Sequence, residues 1–270
     1  MNKEIKFNTP GDFMESWFKN DLLGPSETKT FCEYYKNYYK NFTPFLKDNY
    51  NERLQEAVDI IKSKNGNLDV LDIGTGCGSE ALYFASFGCN VLGIDLEKKR
   101  LDVANSRKNI IEENSQKKLP CNFELKSVFE LNTDKKFDLI WMMETFHHIE
   151  PREKFAEIIS KLLKKGGYLI ISETNALNPV IQIIMFKSRG FNTKIKKNIG
   201  GKEYNYGRER ILCASKLKKI LEEREIFCEY IKYFRIFNNL ENKKVAKMIE
   251  KILPRFFKPF FIHYNYIGKK

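Results

Sequence analysis

Three glycines at alternate positions, Gly74, Gly76 and Gly78, follow the apolar run Val70-Leu71-Asp72-Ile73, with Thr75 and Cys77 between them. Glycine lets a backbone turn tightly and come close to a ligand. A helix beginning just after such a loop adds N–H donors and the positive end of its dipole. A nucleotide-like ligand at the carboxyl edge of a sheet is the occupant this chemistry suits. A second apolar run ends in Gly93-Ile94-Asp95, 21 positions after Gly74, so a carboxylate emerges beside the loop and can accept hydrogen bonds from both hydroxyls of a ribose. An isolated aspartate there would be read as an acid at a helix N-terminus, but its pairing with the glycine loop favours ribose. The dinucleotide fingerprint would place a third glycine or alanine at position 79, where the chain has Ser79, which weakens a nicotinamide or flavin reading.

The elements that must position these residues are legible as alternation. Apolar strands are predicted over 69–73, 90–94, 121–126, 137–142 and 168–172, and helices over 79–87, 97–113 and 152–164, the pattern of a parallel sheet covered on both faces. Upstream, residues 1–66 hold no strand. Phe31, Tyr34, Tyr35, Tyr38, Tyr39, Phe42 and Phe45 recur mostly three or four apart until Pro44 interrupts, and Leu54, Val58 and Ile61 share one face of a helix over 50–64. These residues form a helical N-terminal cap over 1–66, followed by an α/β domain over 67–270 with insertions at about 175–210 and 238–260. The first insertion begins with Asn178-Pro179 and a short apolar stretch before a basic, Gly-containing segment over 187–202. A helix over 215–224 and strands over 227–236 and 261–267 come later. Between those strands the apolar spacing is near-helical but broken by Pro254 and Pro259.

At Asp72 to Gly78 and at Asp95 the chain resembles the class I S-adenosylmethionine-dependent methyltransferases. The likeness runs from about Leu68 to Thr174 and, more loosely, over the final strand ending Tyr266-Ile267-Gly268. It implies a doubly wound α/β fold whose seven-stranded, mostly parallel sheet has the order 3-2-1-4-5-7-6 with the last strand antiparallel. It also implies S-adenosyl-L-methionine as cofactor, held by Asp72, Gly74, Thr75, Gly76, Cys77, Gly78, Asp95 and Leu96. Ser127 and Val128 would lie beside the adenine, and Met142 and Met143 beside the methionine part. The segment from Phe137 to Ile149 is similar to that of the ubiquinone-biosynthesis O-methyltransferases, with His147 standing where those proteins carry a second acid. The Asn/Asp-Pro-Pro-aromatic tetrapeptide usual in adenine- and cytosine-modifying relatives is absent, which argues against those nucleic-acid acceptors.

Methyl transfer is a displacement that depends mainly on alignment, and a hydroxyl acceptor must also lose a proton. His148 or His147 could take that proton; alternatively they pack, cap the following helix or line the pocket. Glu144 with His148 supplies only two ligands, so no metal is expected. His263 is read as structural. In the cap, Tyr34, Tyr35, Tyr38 and Tyr39 are read as core residues, with the alternative that one hydroxyl reaches cofactor or acceptor.

The acceptor implied is a small molecule, quinone precursor, lipid or glycan, methylated on oxygen. Residues 1–186 hold 25 Lys and Arg against 27 Asp and Glu, whereas 187–270 hold 22 against 8, so the whole excess of +12 lies in the last third. That third is either a solvated lysine-rich surface or an attraction to an acidic acceptor, an anionic membrane or nucleic acid. An RNA methyltransferase and a non-catalytic membrane- or partner-binding module therefore stand as alternatives. With 42% hydrophobic and 14% aromatic residues, the chain can build a core. No apolar run reaches the roughly 18 to 20 residues of a bilayer span, and no leader is seen. The six cysteines are scattered without C-x-x-C pairs. They are read as reduced and mostly buried, in a cytoplasmic protein.

Overall fold

In the computed structural model, residues 8–237, 243–253 and 255–270 are described. Expectations that touch residues 1–7, 238–242 or Pro254 lie outside them. The chain divides into two compact units, residues 1–127 and 128–270.

The first unit begins with four helices, α1 (Pro10–Lys19), α2 (Pro25–Tyr34), α3 (Lys36–Tyr39) and α4 (Pro44–Ser63). Local chemistry starts the outer two. Thr9 and Asp12 form a reciprocal capping box on α1, and the Thr43 hydroxyl accepts from Leu46 N at the start of α4. Pro44 therefore opens α4 rather than ending a helix. Its missing N–H falls at the first helical position, where no partner is needed. Then come β1 (Asp69–Ile73), α5 (Ser79–Ala85), β2 (Asn90–Asp95), α6 (Lys98–Ser115) and β3 (Cys121–Leu125). β1 pairs parallel with β2 and β2 with β3, in a register that sets Ile73 opposite Ile94 and Asp95 opposite Leu125. The carboxyl ends of β1 and β2 thus finish side by side.

One buried cation joins the cap helices to this frame. The Arg107 guanidinium on α6 lies 4.5 Å from the Trp17 ring, 5.0 Å from Phe31 and 5.5 Å from Phe13. Its Nη1 donates to the Cys77 carbonyl and the Ser79 hydroxyl, each at 2.7 Å. Ser79 also accepts from the Tyr35 hydroxyl at 2.6 Å. The aromatic faces take the charge while the two oxygens fix its direction.

The second unit contains β4 (Phe137–Met143), α7 (Arg152–Leu162), β5 (Leu163–Thr174), α8 (Pro179–Arg189), β6 (Lys194–Ile199), β7 (Lys202–Gly207), α9 (Ala214–Glu222), β8 (Phe227–Phe234), α10 (Lys243–Ile252) and β9 (His263–Lys269). β4 and β5 are parallel, and β9 runs antiparallel to both β5 and β8. The hydrogen-bonded order of the main sheet is β3-β2-β1-β4-β5-β9-β8. This is the doubly wound order expected from the sequence, with the last two strands in chain order standing seventh and sixth. β6 and β7 form a separate two-stranded hairpin that the alternation did not predict. Among the described residues, no helix is long and apolar enough to cross a membrane. None of the six cysteines forms a disulfide; Cys77, Cys89 and Cys121 are buried and the other three half-buried, fewer than expected.

Arg107→Met keeps the stem's packing and loses two charge-assisted hydrogen bonds, each worth about 1.5–3 kcal/mol. A urea titration should show a loss of stability of at least about 2 kcal/mol, carried by a lower midpoint.

Candidate functional site

In the first unit the loop after β1 is held open by backbone conformations that side chains resist. Gly74, Gly76 and Gly78 have φ of 76°, 54° and 77°. The N–H groups of Gly74 and Thr75 both donate to Ile94 O, at 2.8 and 3.0 Å, which ties the loop to the end of β2. Asp95, nearly buried, receives Gly76 N on Oδ2 and Glu97 N on Oδ1, each at 2.9 Å. A carboxylate oxygen has two lone pairs, so both remain able to accept a further hydroxyl. Leu96 beside it is half-buried. Close approach is enforced sterically. A Cβ on Gly76 would stand 2.2 Å from the Tyr34 hydroxyl, and one on Gly78 would stand 2.8 Å from Ala104 Cβ.

Asp72 and Cys77 are both buried at the loop. Asp72 is buried and accepts the Thr75 hydroxyl at 2.6 Å. Burial and the neighbouring Glu80 charge hold its carboxyl well above the usual range, and Glu80, itself raised by burial, accepts the Tyr50 hydroxyl at 2.5 Å. Burial pushes the Cys77 thiol up to about 12, so it acts as a small apolar group. Of the cap tyrosines, Tyr35 is a core residue bonded to Ser79, whereas Tyr34 leans on Gly76 with the Arg100 guanidinium 4.8 Å over its ring. Ser127, the last residue of this unit, is buried.

The second unit begins with buried Val128 and carries a histidine–carboxylate cluster. Of the paired methionines at the end of β4, Met142 is fully buried in the core and Met143 half-buried, so only Met143 has surface to offer a ligand. A single 3₁₀ turn, Phe146–His148, follows. Glu173 on β5 clamps this turn: its Oε1 accepts Phe146 N at 2.6 Å and its Oε2 lies 2.8 Å from His147 Nδ1. Burial alone would lower the His147 pKa, but the Glu173 charge and hydrogen bond outweigh it and hold it up to about 9. His147 is thus a cation at neutral pH and has no lone pair for a proton.

His148 is the opposite case. Burial first and the His147 charge second push it down to about 3, so it is neutral. Its Nδ1 is 2.9 Å from Gly207 O at the end of β7. A carbonyl only accepts, so Nδ1 carries the hydrogen and the lone pair sits on Nε2. The ring stacks on Tyr206 at 4.5 Å, and Lys197 Nζ lies 4.4 Å from the far ring's centroid. The hairpin thus fixes the imidazole, a role the sequence reading missed although Gly200-Gly201 between two strand-like runs is a hairpin signal.

Glu144 bridges this cluster to β9. It accepts the Thr174 hydroxyl at 2.9 Å and stands 3.2 Å from His263 Nδ1. Two triplets, His147-His148-Glu209 and Glu144-His147-Glu173, bring donor atoms within 4.8 Å of one another. His147 belongs to both: its Nδ1 is 2.8 Å from Glu173, while Glu144 and Glu209 stand farther off at 4.0 and 3.8 Å.

A family model described as a methyltransferase domain matches residues 64–226. The ubiquinone biosynthesis O-methyltransferase of Rickettsia bellii (strain OSU 85-389) is 26% identical over 196 residues, covering 72% of this chain and 76% of that protein. The enzyme of the same description from Pelagibacter ubique is 36% identical over 111 residues, but the match covers only 40% of this chain and 43% of its relative. Among solved structures, magnesium protoporphyrin IX methyltransferase from Synechocystis PCC 6803 with bound SAH superposes with a TM-score of 0.57 at 15% identity, over 90% of this chain and 95% of that one. A SAM-dependent methyltransferase from Archaeoglobus fulgidus gives 0.57 at 17% identity, over 88% and 99%. At such identities the superpositions establish the fold.

The His147 pair makes a signed prediction. Its pKa is raised from 6.5 to about 9, so the stability it contributes is complete below about pH 6.5 and is lost as pH rises through about 9. Glu173→Gln should bring the His147 titration, followed by NMR, down by at least about 1 unit and remove that alkaline loss.

Proposed function

The chain belongs to the methyltransferase-domain family and is a class I S-adenosylmethionine-dependent methyltransferase, and from that premise we propose that it methylates a hydroxyl of a small, apolar, acid-bearing acceptor such as a quinone precursor or lipid-like molecule. The observation that carries the reading is the glycine loop drawn onto Asp95 by the Gly76 hydrogen bond. It leaves a loop with glycine at 74, 76 and 78, where backbone can approach a ligand closely, and a carboxylate with lone pairs to spare. These residues fit an adenosine: Asp95 would take the ribose hydroxyls, and the backbone of 74–78 the methionine end. Leu96, Ser127, Val128 and Met143 would add apolar and hydroxyl contacts. Asp72, Cys77 and Met142 support the loop and strand. Bound S-adenosylmethionine supplies an electrophilic methyl group, and the remaining chemistry falls to the chain.

His148, rather than His147, is the proton acceptor in this reading. Its Nε2 would receive the hydrogen bond of the acceptor hydroxyl and orient that oxygen for attack. A base with a pKa of about 3 is weak, but a hydroxyl becomes far more acidic as its oxygen gains a methyl group, so proton transfer late in the step suits it. His147, held charged by Glu173, would help keep the neighbouring His148 neutral and able to accept that proton. The relatives named for ubiquinone biosynthesis support an aromatic hydroxyl as acceptor. The apolar and basic surface of the second unit supports delivery at an anionic membrane. Six cysteines without a disulfide fit the reducing cytoplasm.

Calorimetry should show S-adenosylmethionine binding to the wild-type chain, and Asp95→Ala should weaken it roughly 10- to 100-fold. Absence of binding would end the cofactor assignment. His148→Ala should lower kcat by about 10²–10⁴ while leaving the cofactor affinity within about twofold. Because the imidazole is already neutral above about pH 5, kcat should stay level from there to neutrality. An acid limb with a midpoint near 6.5 would remove His148 from the role.

A further inference from the structure

Helix α8 is well begun and poorly covered. Asn178 caps it, its Oδ1 accepting Val180 N at 3.0 Å and Ile181 N at 3.1 Å, and Pro179 stands at its first position. Yet none of its eleven residues is buried. Val180 is 62% exposed and Ile183 58%, with Ile184 exposed beside them, so an aliphatic face at positions 180, 183 and 184 looks outward and ends at Lys187. Phe186 is exposed too and meets the ring of Phe191, itself 91% exposed, at 4.9 Å. Single exposed hydrophobic residues are ordinary, but a contiguous group of this size is not.

Hydrogen bonds extend the patch. Asn175 Nδ2 donates to Lys258 O and Phe261 O at 2.9 Å each, and Asn178 Nδ2 to Phe260 O at 3.2 Å. They hold the segment bearing exposed Phe257 and Phe260 against the first turn of α8. The charges around it have one sign: no Asp or Glu occurs between residues 175 and 202, while Lys187 and Arg189 close the helix and Lys258 lies at its other end.

We propose that the face built from α8, Phe191 and the Phe257–Phe260 segment docks on an anionic phospholipid bilayer. The choice of lipid rests on the lipid-like acceptor proposed for the enzyme, and the surface argues for it independently. An aliphatic stripe flanked by cations is the pattern of a helix lying in the headgroup plane, with its apolar face against the acyl chains. At eleven residues, about 16 Å, α8 lies on the membrane and does not cross it. A second copy of the chain would bring the same cations face to face, and nucleic acid would leave the aliphatic residues exposed to water.

Flotation of the full chain with phosphatidylcholine vesicles, with and without phosphatidylglycerol, tests the proposal. Binding should require phosphatidylglycerol and fall with rising salt. Ile183→Asp with Ile184→Asp should abolish it, and Lys187→Gln with Arg189→Gln should weaken partitioning by about 30-fold, roughly fivefold per charge removed. Ile183, Ile184 and Lys187 are solvent-exposed and Arg189 is half-buried, and none of the four lies in the proposed cofactor site, so S-adenosylmethionine affinity should be unchanged and the thermal midpoint of the aspartate pair should match the wild type. Failure to float with anionic vesicles, or flotation that survives the aspartate pair, overturns the proposal. So does a solution dimer that dissociates on the aspartate substitutions without any lipid binding, or RNA binding in place of vesicle binding. Vesicle binding without cofactor binding would instead defeat the methyltransferase reading alone.

Discussion

The hydrogen bond from Gly76 N to the Asp95 carboxylate is the constraint around which the first unit is arranged. It exists only because β1 and β2 are parallel and in a register that ends them together, and because Ile94 O has already drawn Gly74 and Thr75 onto the neighbouring strand. A shift of one residue would send the carboxylate to the other face of the sheet. The left-handed glycines follow as a requirement, since the chain must reverse within five residues without side chains in the way. Arg107 supports the arrangement from below, holding the Cys77 carbonyl and Ser79 while aromatic rings of the cap helices enclose it.

The second unit is organised by charge rather than by backbone closure. Glu173 holds two N–H groups and an imidazolium at once, so His147 keeps its proton, while burial and then that charge keep the adjacent His148 neutral. Strain gathers at the same place. Glu144 and Glu209 at the cluster, and Arg235 beside His263, all adopt positive φ, at 47°, 47° and 61°, although none is glycine. Conformations of this kind cost on the order of 1–3 kcal/mol each and persist where surrounding bonds over-determine them.

The alternation of strands and helices, the glycine loop and Asp95 were all legible because each is a local pattern, and the family resemblance extended them to the strand order. Within the cap, Pro44 reads as an interruption from spacing alone, whereas its threonine neighbour marks it as a start. What stayed hidden are pairings between distant residues. Nothing in the segment around His147 tells that Glu173, 26 positions on, holds its proton, or that Gly207, 59 positions from His148, sets a tautomer. The β6–β7 hairpin escaped notice for another reason. One face is exposed and the other only half-buried, and Lys197 interrupts the apolar residues of that half-buried face, so the alternation that marks a strand is weak.

Gly207 has a consequence for how this protein can diverge. A Cβ there would lie 2.2 Å from the carbonyl oxygen of His147, so the position tolerates no side chain while the hairpin keeps its seat. At the β6–β7 turn, by contrast, a Cβ on Gly200 or Gly201 would meet nothing within 4 Å. The tip therefore has room for side chains, at the cost of left-handed backbone strain, while the root has none, so this appendage can be reshaped at its tip without disturbing the ring it steadies.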